Sequence, residues 1–265
     1  MNTSREHHIL STDKILQKAT DIVLSKHRHF PATHLDIGAG SGDLIALLRT
    51  KVELASRACD YTSDLMQAPN VHVDVVDLNV EKLPYRDDSF DVVTCTEVIE
   101  HLEHYRETLR EAYRVLRSGG TFVVSTPNIL NLKSRIRFLT YGFYNLFGPL
   151  HFKESKLYST GGHITPIGMF YLIHSLVDSG FHDIEVSIDK RQSTSIFWFL
   201  LLYLPIIVFA KITSHSESVK YKTVDHLNKA WVDKMNCFDL LTGRTIIVSA
   251  KKYAEIKTDR TKKAA

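Results

Sequence analysis

The sequence predicts an α/β protein in which a mainly parallel, doubly wound β-sheet is covered by helices on both faces. Three observations support this fold class. Short apolar runs alternate with helical patterns along most of the 265 residues, a glycine-rich turn joins the first run to the helix after it, and acidic residues stand at the ends of three successive runs. Alternating strands and helices indicate parallel pairing, because each helix carries the chain back to the starting edge of the sheet.

The first helix is predicted over Asp13–Leu24, where apolar side chains recur at helical spacing and Ser11 or Thr12 is placed to cap the start. Pro31 ends this N-terminal helical segment of residues 1–30. The alternating part then follows, with strands at Thr33–Ile37, up to Cys59, Val71–Val76, Phe90–Thr94, Thr121–Ser125, Phe181–Ile188 and Thr245–Ser249, and helices at Asp43–Arg49, His101–Leu116 and Pro166–Ser179.

Two long stretches interrupt this alternation, one after the fifth predicted strand and one after the sixth. Connections of such length are typical of functional additions. Both begin at the edge of the sheet where ligands bind in such folds. We therefore expect one domain over residues 31–253, with helical insertions at 129–160 and 191–240. Residues 254–265 are expected to be a basic tail, because they hold few large apolar side chains.

Composition narrows the range of partners and compartments. The formal net charge is only +3 and the basic residues are spread along the chain, so we expect no nucleic-acid partner. The three cysteines, Cys59, Cys95 and Cys237, are far apart and form no C-x-x-C pair, which favours a reducing compartment. The N-terminus carries charges where a secretory signal needs an apolar run, so the sequence predicts a cytoplasmic protein.

The glycine-rich turn lies in the stretch HLDIGAGSGDLIALL, where Gly38, Gly40 and Gly42 occupy every second position. Glycines in a strand-to-helix turn let a nucleotide approach the backbone, although a tight turn can also need them for packing alone. The spacing differs from the G-x-G-x-x-G pattern that receives a pyrophosphate. Asp36 precedes the first glycine, and a carboxylate there suits a ligand with cationic groups better than one with phosphates.

Two further acids follow the next strands. Asp60 comes after the second strand, where a carboxylate can accept both hydroxyls of a ribose. Asp77 closes the run VHVDVV, where it can accept a proton from an adenine amino group while Leu78 packs on the ring. Each acid alone is compatible with a solvated turn. Together with Asp36 they predict a site for an adenosine that bears a positive charge.

Four stretches of the sequence resemble, in order and spacing, the motifs of class I S-adenosylmethionine-dependent methyltransferases: LDIGAGSGD, CDYTSDLM, VVDLNVEKLPYRDDSFDVVTCTEVIEHL and LREAYRVLRSGGTFVVSTPN. In pattern they are similar to the group that includes the quinone-biosynthesis O-methyltransferases. The resemblance implies a Rossmann-like sheet of seven strands with the last one antiparallel. It also implies S-adenosylmethionine as cofactor, with Gly38 and Gly40 beside the methionine and ribose, Asp60 on the ribose, and Asp77 with Leu78 on the adenine. Asp36 and Gly42 complete the predicted cofactor-binding set.

The catalytic candidates follow the fourth and fifth strands. Glu97 and His101 match the EVIEHL-type motif of the resembling family, and a histidine has a pKa suited to a base at neutral pH. His163, in GGHITP, is a second candidate base, and Tyr158 is a weaker one. Either histidine can instead pack against, cap or bond its local backbone. His101 and His104 lack the H-E-x-x-H arrangement, so the sequence predicts no metal site.

The two insertions suggest contact with a membrane. Residues 129–147 form a basic amphipathic pattern, and residues 196–210 read IFWFLLLYLPIIVFA, uncharged but interrupted by Pro205. This apolar run is too short to span a bilayer comfortably, so it is expected either to cover the acceptor pocket as a lid or to dip into a membrane surface. The basic stretch after it favours the second interpretation, at the inner face of the membrane.

The sequence therefore predicts an S-adenosylmethionine-dependent methyltransferase that acts, at oxygen, on a small or lipid-linked acceptor such as a quinone precursor or a glycan intermediate. Two other classes stay open. An NAD-dependent dehydrogenase is disfavoured by the glycine spacing and by the acids at Asp36 and Asp77. A membrane-associated binding protein that keeps the fold without turnover is distinguished only by an assay for methyl transfer.

Overall fold

The computed structural model describes residues 13–150 and 162–253. Its centre is one seven-stranded sheet in the order β3-β2-β1-β4-β5-β7-β6. The strands are β1 Ala32–Ile37, β2 Leu54–Asp60, β3 Val73–Val75, β4 Phe90–Thr96, β5 Leu116–Pro127, β6 His182–Ile188 and β7 Thr245–Lys251. Strands β1 to β5 pair in parallel, whereas β7 runs antiparallel to both β5 and β6. The predicted Rossmann-like sheet with an antiparallel last strand is therefore confirmed.

Eight α-helices surround the sheet in the described part of the chain: α1 Asp13–Lys26, α2 Asp43–Arg49, α3 Tyr105–Val115, α4 Leu132–Tyr141, α5 Met169–Asp178, α6 Ser193–Ser216, α7 Lys229–Lys234 and α8 Phe238–Thr242. The helix predicted over His101–Leu116 is divided. A single 3-10 turn at Ile99–His101 is followed by an extended Leu102, and α3 begins only at Tyr105. His101 thus ends a turn at the sheet edge.

Each face of the sheet is covered by its own layer of helices. Alternate residues of β4 point to opposite faces, so Val92 packs with α1 and α2 while Val93 and Cys95 pack with α3 and α5. On the second face Phe122 stacks on Phe181 with ring centroids 5.1 Å apart. The N-terminal helix α1 is part of the core on the first face. Coverage of both faces buries most of β1, β4, β5 and β7, whereas β3 and β6 at the two edges of the sheet are more exposed.

The two predicted insertions pack against each other. The first contains α4, and the second contains α6, a π-helical turn at Glu217–Tyr221, α7 and α8. The backbone N–H of Lys133 donates to Ser195 Oγ at 3.2 Å, and Arg135 donates to Asn236 Oδ1 at 3.0 Å. The two insertions follow β5 and β6, which run in the same direction beside β7. Both insertions therefore leave the sheet from the same edge. They therefore form one helical layer next to the ligand-binding edge.

Helix α6 differs from its sequence-based description. Pro205 does not interrupt it, and the helix runs continuously for 24 residues. The expectation that residues 196–210 are too short to span a bilayer was wrong, because the flanking polar residues continue the helix. Other predictions concern residues outside the described ranges: Ser11 and Thr12 as caps, residues 151–160 of the first insertion with Tyr158, and the tail at 254–265.

Candidate active site

A cavity of about 250 Å³ opens at the carboxyl ends of β1 to β4, the edge where parallel sheets bind ligands. Its lining contains six of the seven predicted cofactor-binding residues, namely Asp36, Gly38, Gly40, Asp60, Asp77 and Leu78. The three catalytic candidates Glu97, His101 and His163 line the same cavity. Residues that are up to 127 positions apart in the sequence therefore meet in one place.

The glycine turn brings bare backbone to the cavity wall. Gly38 has φ +68°, and a β-carbon there would lie 2.3 Å from Val98 Cγ2. The positive φ and the nearby valine both exclude a side chain at this position. Gly40 also has a positive φ, and its N–H donates to Asp60 Oδ2 at 2.8 Å. The turn after β1 is thereby attached to the end of β2.

Gly42 has a different role from the one predicted. It does not line the cavity but begins α2 with φ +80°. A β-carbon on Gly42 would lie 2.6 Å from Met66 Sδ and 2.8 Å from Ala68 Cβ. The absence of a side chain therefore serves close packing of residues 66–68 on the start of α2, and the sequence spacing could not distinguish this use from ligand contact.

Asp36 ends a buried chain of hydrogen bonds. Thr94 Oγ1 donates to Asp36 Oδ1 at 2.6 Å, so the same hydroxyl accepts from His34 Nε2 at 2.8 Å. His34 Nδ1 then accepts from Ser56 Oγ at 3.2 Å. Burial lowers the pKa of His34 to about 3, which keeps this ring neutral. Burial also raises the pKa of Asp36 to about 7, with a smaller contribution from the charge of Asp60.

The carboxylates of the other two acids, Asp60 and Asp77, accept hydrogen bonds from nearby backbone N–H groups. Burial raises the pKa of Asp60, opposed by the N–H group of Gly40. Asp77 Oδ1 accepts the N–H of Asn79 at 2.9 Å, and the Asp77 N–H donates to Glu81 Oε2 at 2.8 Å. The Asp77 carboxylate therefore shapes the turn after β3 as well as forming part of the cavity wall.

The second end of the cavity holds the catalytic candidates. Glu97 has φ +56°, and its carboxylate accepts a hydrogen bond from Ser125 Oγ at 2.9 Å. Burial raises the pKa of Glu97 to about 7, while the charge of Arg244 opposes this shift. His101 Nδ1 donates to the Gly162 carbonyl at 3.1 Å, and its ring lies edge-on to that of His163 with centroids 4.7 Å apart. Burial lowers the pKa of both rings, to about 4 for His163.

Sequence reasoning missed two residues at this end. Glu100 is fully buried, and its carboxylate lies near its own backbone N–H and the Thr126 hydroxyl, both of which favour the ionised form. Burial, and then the charge of Glu97, raises the pKa of Glu100 well above its ordinary value. Arg244, at the start of β7, also lines the cavity. The EVIEHL motif contained a signal for Glu100, whereas nothing in the sequence around Arg244 indicated a site residue.

The charge of the cavity fits the cofactor that the resemblance implies. Among the described lining residues, one cation, Arg244, faces five carboxylates, which belong to Asp36, Asp43, Asp60, Asp77 and Glu97. A sulfonium and an ammonium group would offset this negative charge, whereas the pyrophosphate of NAD would add to it. The absence of a side chain at Gly38 leaves room for Val98, which lines the same cavity. The residues present therefore fit a cationic adenosine.

Comparison with known proteins gives the same assignment for the cofactor half. Residues 35–124 match a family model described as a methyltransferase domain. A probable S-adenosylmethionine-dependent methyltransferase of Mycolicibacterium smegmatis is 39% identical over 105 residues, covering 38% of this chain and 40% of that protein. A ubiquinone/menaquinone biosynthesis C-methyltransferase of Bartonella quintana is 31% identical over 100 residues, covering 34% of this chain and 38% of that protein. The chain spans less than half the length of these curated relatives.

Solved structures share the fold over nearly the whole chain. A methyltransferase from Archaeoglobus fulgidus superposes with a TM-score of 0.54 at 18% identity, covering 89% of this chain and 94% of that one. A phosphoethanolamine N-methyltransferase from Haemonchus contortus, solved with S-adenosylmethionine, gives a TM-score of 0.52 at 17% identity, covering 90% of this chain and 53% of that one. The expected class I methyltransferase fold is thus confirmed, including strands β6 and β7 beyond the matched residues.

Proposed function

Residues 35–124 carry a methyltransferase domain, and on that premise we propose that the chain transfers a methyl group from S-adenosylmethionine to a hydroxyl oxygen of an amphiphilic acceptor. One observation carries the proposal: the acids at the ends of β1 to β3 and the proton-accepting groups after β4 line a single cavity. A quinone precursor and a glycan–lipid intermediate are the acceptor classes that fit the apolar insertions.

The chain's residues divide into two groups along the cavity. Asp60 is placed to accept the ribose hydroxyls, Asp77 and Leu78 to bind the adenine, and Asp36 to balance a cation. Bound S-adenosylmethionine supplies an electrophilic methyl group on sulfur. The protein then contributes alignment and exclusion of water, which can supply much of the rate in an in-line displacement.

The second group of residues, Glu97, His101 and His163, supports oxygen as the acceptor atom. A hydroxyl must lose its proton during the transfer, and Glu97, His101 and His163 all line the far end of the cavity. The His101 ring donates through Nδ1 to Gly162, so its Nε2 has a lone pair available. Three proton-accepting groups in one place suit a hydroxyl better than an acceptor that carries no exchangeable proton.

The apolar surface of α6 supports an amphiphilic acceptor. Helix α6 and the following turn are long and apolar enough to cross a membrane, and the most apolar part is not buried within the protein. Leu200 and Leu204 are 80% and 76% exposed. No residue of α6 lines the cavity, which disfavours the lid interpretation. The exposed face of α4, with Leu139 at 81%, lies beside α6 and extends the same apolar surface.

The path of the chain after α6 favours lying on a membrane over crossing it. The insertion starts and ends at one place, because the Gln192 N–H donates to the Thr242 carbonyl at 2.8 Å. If α6 crossed a bilayer, residues 217–237 would have to cross back. That segment contains seven charged residues, Glu217, Lys220, Lys222, Asp225, Lys229, Asp233 and Lys234, which excludes it from hydrocarbon. We therefore propose that α4 and α6 lie on a membrane surface, at its inner face, without crossing it.

The proposed activity is tested by methyl transfer to lipid. Purified protein is incubated with S-adenosylmethionine labelled in the methyl group and with a membrane lipid extract, and the products are analysed by mass spectrometry. We expect label in an ether or ester-linked methyl group. Label on carbon would contradict an oxygen acceptor. Binding of S-adenosylhomocysteine without any transfer would favour the binding-protein alternative, and a thermal shift with NAD instead would favour the dehydrogenase.

A further inference from the structure

Arg244 is a cationic side chain of the cavity that binding of the cofactor does not explain. It lies directly before β7 and is the only lysine or arginine among the described residues that line the cavity. Strand β7 lies beyond β4 and β5 in the sheet, on the side away from the acids at the ends of β1 to β3. The charge of Arg244 acts on Glu97, one of the proton-accepting groups. Arg244 therefore belongs to the acceptor end of the cavity.

The backbone around Arg244 is fixed by hydrogen bonds to two other segments. Its N–H donates to the Lys190 carbonyl at 3.0 Å, and its carbonyl accepts the N–H of Asn128 at 2.9 Å. The next residue, Thr245, donates its N–H to Asp189 Oδ1 at 2.9 Å. Arg244 thus extends from a point where the segments after β5 and β6 meet the start of β7, as a pre-organised binding group requires.

The guanidinium group of Arg244 is available to a ligand. Within the part of the chain that the structure describes, Arg244 forms backbone hydrogen bonds and acts on Glu97 through its charge, but no hydrogen bond or ion pair engages its guanidinium group. Other arginines of this protein pair directly with carboxylates, as Arg117 does with Asp91 at 2.9 Å. The five N–H donors of the Arg244 guanidinium are therefore free to bind a molecule that enters the cavity.

The nearby carboxyl groups do not neutralise this cation fully. The Glu97 carboxylate accepts a hydrogen bond from Ser125 Oγ at 2.9 Å. Burial raises the pKa of Glu97 to about 7 despite the opposing charge of Arg244, so this carboxyl is only partly ionised near neutral pH. Asp189 accepts the Thr245 N–H, and its Oδ2 is buried without a partner among the described residues. The positive charge of Arg244 is thus left without a directly paired acid.

An anion has one favourable position in this cavity. The acids at the ends of β1 to β3 repel a negative group, whereas Arg244 attracts it. The planar guanidinium fork also matches the two oxygens of a carboxylate or the oxygens of a phosphate, to which it can donate two parallel hydrogen bonds. The distribution of charge therefore separates a cationic ligand at one end of the cavity from an anionic group at the other.

We propose that Arg244 binds a carboxylate or phosphate group of the methyl acceptor, so that the acceptor is an anionic hydroxyl compound. The inference rests on the proposed function, because it concerns the substrate of the same cavity. Binding of the anion would orient the acceptor, with its hydroxyl toward Glu97, His101 and His163. Arg244 is thereby a specificity-determining residue, and proton transfer stays with the other three groups.

The test measures binding of small probes to the full chain loaded with S-adenosylhomocysteine. The probes share a phenol ring and are 4-hydroxybenzoate, 4-hydroxyphenyl phosphate and the uncharged 4-hydroxybenzamide. Dissociation constants are determined by NMR titration, and we expect at least one anionic probe to bind the parent chain more tightly than the amide does. Arg244→Gln should reduce this preference by about 10- to 100-fold, because it removes hydrogen bonds to a charged group. The tighter anionic probe then identifies carboxylate or phosphate as the preferred group.

Arg191→Gln is the matched control. Arg191 is exposed, pairs with Asp239 and lies outside the cavity, although its backbone bridges to Gly243 beside Arg244. This variant removes the same charge from a neighbouring position and should leave the preference for anions unchanged. Anionic probes that bind the parent no more tightly than the amide would overturn the proposal. A preference that Arg244→Gln retains, or that Arg191→Gln removes equally, would overturn it as well.

The folded state and the cofactor half are checked in the same samples. Thermal unfolding and the affinity for S-adenosylhomocysteine should stay near the parent values in both variants. Arg244→Lys keeps the charge without the planar fork and should retain an intermediate preference for anions.

Methyl transfer to the lipid extract separates this inference from the proposed function. A preference for anionic probes without any methyl transfer would contradict the proposed function and leave the Arg244 site standing. Label found only in lipids that carry neither carboxylate nor phosphate would support the proposed function and overturn the anionic acceptor.

Discussion

Gly40 donates its backbone N–H to the carboxylate of Asp60 across 2.8 Å and so joins the turn after β1 to the end of β2. The contact makes the position of Asp60, the acid proposed to bind the ribose, depend on the shape of the glycine turn. Asp60 is also 95% removed from solvent, since only 5% of it is exposed. Its carboxylate is therefore pre-positioned, and its substitution should affect ligand binding more than the loss of one contact would.

Asp60→Ala should weaken the affinity for S-adenosylhomocysteine by about 10- to 100-fold, because hydrogen bonds to a charged group contribute roughly 1.5–3 kcal/mol. Isothermal titration calorimetry measures the change. The control is Asp64→Ala, an exposed aspartate four residues further along the same segment. Equal losses in the two variants would mean that general negative charge, and not a placed carboxylate, attracts the ligand.

Affinity for S-adenosylhomocysteine, which carries an ammonium group, should rise between pH 6 and pH 8. The Asp36 carboxyl has a pKa near 7 in the free protein, so it is mostly protonated at pH 6 and ionised at pH 8. A cation binds the ionised form, so binding near neutral pH should release a proton. Calorimetry in two buffers of different ionisation enthalpy counts this proton. Asp36→Asn should abolish the release, and an unchanged release in that variant would assign it to another carboxyl such as Asp60 or Glu97.

The raised pKa of Asp36 also makes the stability of the protein depend on pH. The affinity for the cation is expected to rise with pH, whereas the stability is expected to fall. The pKa of Asp36 is raised from an ordinary value of 3.8 to about 7 on folding, so its contribution is fully present below pH 3.8 and is lost as pH rises through 7. Asp36→Asn has no charge to bury. Its Tm relative to the parent should therefore be higher at pH 8 than at pH 5, as thermal unfolding at the two values would reveal.

Thr94→Val should destabilise the protein by about 1–3 kcal/mol, because it leaves both Asp36 and the His34 Nε2–H group buried without their partner. It should also raise the pKa of Asp36 further and weaken cofactor binding at neutral pH, since the Thr94 hydroxyl stabilises the ionised carboxylate. Denaturant unfolding and calorimetry measure the two effects.

Thr108→Val is the matched control for this change. Thr108 is also buried, but its hydroxyl has no partner among the described residues. Replacement there should be neutral or slightly stabilising and should leave binding unchanged. A similar loss of stability at both positions would show that the hydrogen-bonded chain from Ser56 to Asp36 has no special importance.

Membrane contact is expected to depend on the exposed apolar face of α6. Leu200→Glu combined with Leu204→Glu should abolish flotation of the protein with vesicles that contain anionic lipid, because two charges would enter the apolar region of the interface. The Tm should stay near that of the parent, since both side chains are exposed. The control, Val177→Glu, alters an exposed apolar residue of α5. A parent chain that never floats would contradict the membrane proposal.

The parts of the structure that the sequence predicted depend on local pattern. The strand ends at Asp36, Asp60 and Asp77 were predictable because apolar runs mark buried strands and acids at their carboxyl ends share one edge. The start of α3 was not, because the chain forms a 3-10 turn at Ile99–His101 and an extended Leu102 before the helix begins, and no glycine or proline marks this break in the sequence. Arg244 required the tertiary fold, since β7 reaches the cavity only by lying beside β5.

Helix α6 illustrates a different limit of prediction from the sequence. Proline was taken as an interruption, but Pro205 lies within a long helix whose other hydrogen bonds and packing against α4 and α8 are retained. The role of Gly42 was ambiguous for a related reason: a glycine required by Met66 and a glycine required by a ligand have the same sequence signature. In both cases the deciding contact lies outside the local segment.

The insertion that carries α6 begins and ends at neighbouring backbone positions, with Arg191 bridged to Gly243 and Gln192 bonded to Thr242. Its two ends would stay adjacent even if the residues between them were exchanged for a short connection, and the closure of such a loop depends only weakly on its length. We therefore expect that residues 191–240 could be shortened or exchanged while β6, β7 and the edge of the sheet that lines the cavity keep their geometry.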